Sequence, residues 1–105
     1  MSRSPLSRTN LPGARPTPEQ GAGTESRALR PYKVILHNDD VNTMDHVVRA
    51  LLRAVPKLSA AEATRIMLEA HHTGRAVVIV CPKEPAELYR DRLESFGLTA
   101  TIEPA

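Results

Sequence analysis

The six residues Ala76-Val77-Val78-Ile79-Val80-Cys81 form an unbroken apolar run, closed by Gly74 on one side and Pro82 on the other. No other segment constrains the fold as much. Its length and β-branched content suit a strand, because strands run about 4–8 residues and helices at least about 10. A run without polar alternation reads as a strand buried on much of both faces, so it is expected to be the central strand of a sheet. A strand of that kind needs cover, and the flanking segments have the periodicity to supply it.

Tyr32–Asn38 reads as a first strand from its aliphatic content, and the acids Asp39 and Asp40 end it. Met44, Val47, Val48, Leu51 and Leu52 then fall on one helical stripe, with Asn42 as the expected cap, Asp45 at the third helical position and Pro56 as the stop. Ser59-Ala60-Ala61-Glu62 has the spacing of a capping box, and the helix it opens carries Ala63, Ile66, Met67 and Ala70 on one face and closes at Gly74. Pro85 suits the first turn of a third helix, whose Ala86, Tyr89, Leu93 and Phe96 share a face before Gly97. Leu98–Glu103 alternates as a last strand. The order β-α-α-β-α-β predicts an α+β sandwich, a three-stranded sheet covered by three helices, over residues 31–105.

Residues 1–30 differ in kind. They hold four of the nine prolines and three of the five glycines, and they carry a net charge of +3, against −1 for residues 31–105. Such a segment cannot offset its ordering entropy by burial and is expected to be a disordered tail, either a solvated leader or a tether to a larger partner. The folded part is not basic, and its only aromatics are Tyr32, Tyr89 and Phe96, which excludes a nucleic-acid platform. No run approaches the roughly 20 apolar residues of a membrane span, and the first residues lack the apolar segment of a secretory signal. With Cys81 as the single cysteine, no intrachain disulfide can form, and a soluble, cytoplasmic chain is expected.

The chemistry concentrates where the first strand stops. Asn38, Asp39 and Asp40 place an amide and two carboxylates at a strand end, directly before a helix whose first apolar residue is Met44. Carboxylates are costly to bury, so these belong at a solvent-open mouth where a cationic ligand group can pair with them. His71, four residues after Met67 and next to Ala70, can overlook the same groove from the second helix. Met44 and Met67 with Val47 and Ala70 supply a pliable apolar lining. A peptide amino terminus with a large first side chain combines the required cation and apolar group.

Metal and catalytic readings find less support. His37, Asp39, Asp40, His46 and His71 are all ligand types, but no paired histidines stand four apart on a helix and no Cys-x-x-Cys or calcium loop is present. Asp39 and Asp40 diverge on an extended chain, and Cys81 in an apolar strand is a poor nucleophile. Neither metal nor cofactor is expected.

Residues 31–105 resemble the ClpS family, small adaptors of the Clp protease system that recognise N-terminal degradation signals. The resemblance rests on Tyr32-Lys33-Val34-Ile35-Leu36-His37-Asn38-Asp39-Asp40, Met44 with Val47-Val48, the segment Ala63–His71, and the ending Gly97–Glu103. It implies a non-enzymatic adaptor that binds Phe, Leu, Tyr or Trp at a protein's amino terminus and delivers the protein to an AAA+ Clp unfoldase. By the same resemblance, Asn38, Asp39 and His71 receive the α-amino group and first peptide unit, while Asp40 and Asn42 support the loop. Met44, Val47, Met67, Ala70 and Leu98 line the pocket for the first side chain, with Met44 as a gate against β-branched residues. Glu84, at the start of the third helix, is implied as a contact to the amino-terminal domain of a ClpA-type or ClpC-type unfoldase. Two rivals remain at this stage: a regulator of unfoldase substrate choice without a working pocket, and a small metal-dependent enzyme using His37, Asp39 and His71.

Overall fold

The structure is a computed structural model and describes residues 30–105. The tail expected over residues 1–30 therefore lies, but for Arg30, outside the described residues. Six elements follow one another: β1 (Pro31–His37), α1 (Met44–Ala54), α2 (Ala60–Thr73), β2 (Arg75–Pro82), α3 (Lys83–Ser95) and β3 (Thr99–Pro104). The three strands form one antiparallel sheet in the order β2-β1-β3. The α+β architecture read from the sequence is the one observed.

The central strand, however, is β1 and not the long apolar run. Val34, Ile35 and Leu36 of β1 are consecutively buried, whereas β2 is an edge strand with Val77 38% and Val80 53% exposed. A β-bulge explains how an edge strand carries so continuous an apolar sequence. Val34 pairs with Ile79 but Ile35 pairs with Val77, so Val78 is an extra residue on β2. Two successive residues at a bulge face the same side. Ala76, Val78, Ile79 and Cys81 accordingly pack on the core, and Val77 and Val80 fall on the other face. What looked like two-sided burial is one-sided burial with a shift in phase.

Buried side chains of all three helices join those of the sheet in one cluster that includes Leu51, Ile66, Met67, Leu93 and Leu98. Full burial of an aliphatic side chain of this size contributes about 1.5–3 kcal/mol. Ile35 points to the opposite face yet is only 1% exposed. Its register neighbours are Val77 and Thr101, and it lies midway along the diagonal between Arg75, opposite His37, and Glu103, opposite Lys33. Arg75 and Glu103 meet at 3.1 Å, so their side chains span that diagonal.

The helix ends follow from local chemistry with one correction. Ser59 and Glu62 form the expected capping box, with bonds of 3.1 and 2.8 Å, and Gly74 ends α2 in the left-handed conformation at φ 97°. At α1 the cap is Thr43, not Asn42: Thr43 Oγ1 accepts the His46 N–H at 3.1 Å. Asn42 is displaced from that role because its amide donates elsewhere, to the Asp39 carboxylate and to the Gly97 carbonyl. Asp45 thus occupies the second helical position rather than the third, where it still faces the positive end of the helix and pairs with Arg49 one turn on.

Register brings the loops together. His37 at the end of β1 pairs with Arg75 on one side and Thr99 on the other. The β1–α1 loop, the α2–β2 turn and the α3–β3 turn therefore meet at one end of the sheet, and the Asn38 N–H ties the first to the second by donating to the Gly74 carbonyl at 3.0 Å.

Candidate functional site

A cavity of about 310 Å³ opens at that end of the sheet. Its size is that of a small-ligand or side-chain pocket. Asn38, Asp39, Asp40 and His71 stand on its polar side, and Met44, Val47, Met67, Ala70 and Leu98 on its apolar side, with Asn42 and Thr43 at the loop between them. Residues 38 to 98 are thus collected onto one wall or another of a single cavity. Leu36 and His37 also line it, as continuations of β1; the sequence weighed His37 only as a metal ligand and did not single out Leu36 for the site.

Depth follows residue type. Met67 is 9% exposed and Leu98 5%, so they form the floor and one wall, whereas Met44, at 45%, stands at the mouth. Asn38, Asp40 and His71 are exposed, and Asp39 is half-buried. The imidazole of His71 packs edge-on against that of His72, with ring centres 5.2 Å apart.

Asp39 organises the loop. Its Oδ1 accepts from the backbone N–H groups of Val41 and Asn42, each at 3.0 Å, and from Asn42 Nδ2 at 3.1 Å, while Oδ2 accepts from the same amide at 3.1 Å. Partial burial works to raise the carboxyl's pKa, but the backbone donors of Asn42 and Val41, then the Asn42 side chain and the nearby His46, together hold it below its ordinary value. It is therefore an anion at neutral pH. An ionised carboxylate offers about four acceptor sites, and Oδ2 has one donor here, so capacity for an ammonium group remains. Loop support, expected of Asp40 and Asn42, falls to Asp39 and Asn42: the exposed Asp40 side chain makes no hydrogen bond among the described residues.

Among the described residues no three histidine, cysteine or acidic side chains cluster to hold a metal ion. Cys81 lies on β2 with its thiol pushed up by partial burial, which Lys57 opposes only in part. Glu84 sits in the first turn of α3, exposed, just beyond Pro82. Pro82 pairs with Pro31, at the end of the sheet away from His37 and the cavity.

Two residues of importance here were not assigned to the site from sequence. Thr43 sets the start of α1, and His46 donates from Nε2 to the Phe96 carbonyl at 2.7 Å. Thr43 was findable as one of two adjacent capping residues. The partner of His46 lies 50 residues away, and no local pattern announces it.

An acidic and amide rim over an apolar pit, on a small α+β domain, defines a binding module for a cationic, apolar-bearing ligand. Comparison with known proteins narrows that class. The family model described as ATP-dependent Clp protease adaptor protein ClpS matches residues 27–101. The Clp protease adapter ClpS of Synechococcus sp. strain CC9902 is 56% identical over 73 residues, 70% of this chain and 70% of its own length. That of Synechococcus elongatus is 49% identical over 82 residues, covering 77% of this chain and 86% of its own. The solved structure of Agrobacterium tumefaciens ClpS2 bound to L-phenylalaninamide superposes with a TM-score of 0.68 at 33% identity, over 72% of this chain and 98% of that one. The chain belongs to the ClpS family of Clp protease adaptors. It is an adaptor and not an enzyme, and among the described residues no helix is long and apolar enough to cross a membrane.

Proposed function

We propose that this adaptor captures proteins through a free amino terminus bearing Phe, Leu, Tyr or Trp and delivers them to the AAA+ unfoldase of a Clp protease. The observation that carries the reading is the junction of an ionised, loop-buttressed Asp39 with an apolar pit in one cavity. The α-ammonium donates to Asp39 and to the Asn38 amide oxygen, and His71 accepts from the ammonium or donates to the first peptide carbonyl. The first side chain passes Met44 into the space between Val47, Met67, Ala70 and Leu98. The ligand of the Agrobacterium relative has this chemistry, an amine and an aromatic side chain on adjoining atoms. On the unfoldase side, docking uses its amino-terminal domain, of ClpA or ClpC type, with Glu84 in the contact. Residues 1–30 act as the delivery tether.

Fluorescence anisotropy with a Phe-initiated peptide and its N-acetylated twin tests the reading. Acetylation removes the charge and two donors, and loses charge-assisted bonds worth about 1.5–3 kcal/mol each, so affinity should fall at least about tenfold. Equal affinity for the two peptides would eliminate the amine clamp, and no binding of either would favour a regulator without a working pocket. Met44→Ala should admit Ile- and Val-initiated peptides, because the side chain that excludes a β-branch is gone. An unchanged Phe-to-Ile preference would show that Met44 is not a gate.

A further inference from the structure

Two donors near the start of α1 reach to one turn. Asn42 Nδ2 donates to the Gly97 carbonyl at 2.9 Å, and His46 Nε2 donates to the Phe96 carbonyl at 2.7 Å. A carbonyl only accepts, so Nε2 of His46 carries the proton. The residue after these two carbonyls is Leu98, a wall of the cavity. His46 is absent from the lining itself, so it bears on the cavity only through that turn.

Buried side chains of α1 and α3, Leu51 and Leu93 among them, share the core, and the start of α1 adds these polar links to the turn. Beside His46 a groove of about 180 Å³ is lined by His46, Arg49, Ala50 and Arg53 of α1 and by Phe96 of the turn. α1 and α3 thus share the core cluster, while open space remains along the His46–Arg53 flank of α1. Their polar links sit at the two ends of α1: His46 with Asn42 at its start, and Arg92, which donates to the Ala54 carbonyl at 3.3 Å, at its finish. The turn also contains Gly97 at φ 86°, with no side chain to wedge it in place.

We propose that His46 is a positioning residue for the cavity: through the Phe96 carbonyl, and together with Asn42 at the next carbonyl, it sets the distance between the Met44–Val47 wall on α1 and the Leu98 wall, and so selects which first side chains fit. The proposal rests on the degron-binding reading for its functional consequence, but not for its structural one. Replacing His46 with Phe keeps ring bulk and removes the donor. His46→Ala is a second deletion should the first misfold, and His46→Gln restores an N–H at similar reach.

The expected result is a Phe-to-Leu affinity ratio that falls about three- to tenfold in His46→Phe and His46→Ala, the worth of one ordinary hydrogen bond, and returns to within about twofold of wild type in His46→Gln. A residue that merely stabilised the fold would lower both affinities together, with the melting temperature, and would leave their ratio unchanged. The second readout needs no ligand: the methyl order parameter of Leu98 in the peptide-free domain should drop in both deletions and recover in His46→Gln. An unchanged ratio with an unchanged Leu98 order parameter overturns the proposal. If the wild-type chain binds neither peptide, the degron reading falls, and the Leu98 measurement alone then upholds or overturns the positioning role.

Discussion

Asp39 carries two duties on one carboxylate. Its Oδ1 closes the loop over Val41 and Asn42, and its remaining capacity faces the cavity. The two duties respond to pH in the same direction. Because the folded chain holds this carboxyl below its ordinary value, it contributes stability above the unfolded pKa, and that contribution is lost as the pH falls through the lower folded value. The share of peptide affinity that Asp39 supplies, read as the ratio of wild type to Asp39→Asn, should therefore stay level from neutrality down to the usual carboxylate range near about pH 4 and decline only below it. Asp39→Asn should weaken binding about tenfold by removing the charge, and should also loosen the loop. A ratio that already falls by about pH 6 would contradict a carboxyl held below its ordinary value.

At the scale of elements, the capping box of α2 was fully legible, because Ser59 and Glu62 act on each other across three residues. Ser59→Ala should cost about 1 kcal/mol in denaturant midpoint with the slope unchanged, and peptide affinity should not move, since the cap lies at the end of α2 opposite His71. A loss of binding equal to the loss of stability would tie the whole helix to the cavity. Local signals of this kind also placed Gly74, Pro85 and the apolar stripes. The strand order was not legible. Hydropathy records that Ala76–Cys81 is apolar, but a one-residue bulge opposite Val34 and Ile35 decides which face each side chain takes. A bulge depends on the partner strand, which single-strand periodicity does not contain. The same limit explains the site: Asn38, Asp39, Met44, Met67 and His71 stood out by type and spacing, whereas the donation from Asn42 to Gly97 spans 55 residues and exists only once the register is set.

For the whole molecule, the proposed function puts two tasks at opposite ends of the sheet. The cavity lies beyond the His37 end of β1, and Glu84 follows Pro82, which pairs with Pro31 at the other end. A seven-residue strand puts roughly 20 Å between those ends at a rise of about 3.3–3.4 Å per residue. A charge at Glu84 is then further from a bound ammonium than the screening length of about 8–10 Å in physiological salt, so the two sites should be electrostatically independent. Leu88, one turn beyond Glu84 on α3, is among the exposed large apolar side chains, which gives that end an apolar patch beside an acid. Glu84→Lys should accordingly leave the affinity for a Phe-initiated peptide within about twofold of wild type. Degradation of a Phe-initiated reporter by the Clp unfoldase and protease should slow markedly, and raising the adaptor concentration should recover it in part, as expected for a weakened docking contact. A variant that delivers at the wild-type rate would remove Glu84 from the unfoldase contact. One that loses peptide affinity would show instead that the two ends of the sheet are coupled through the core.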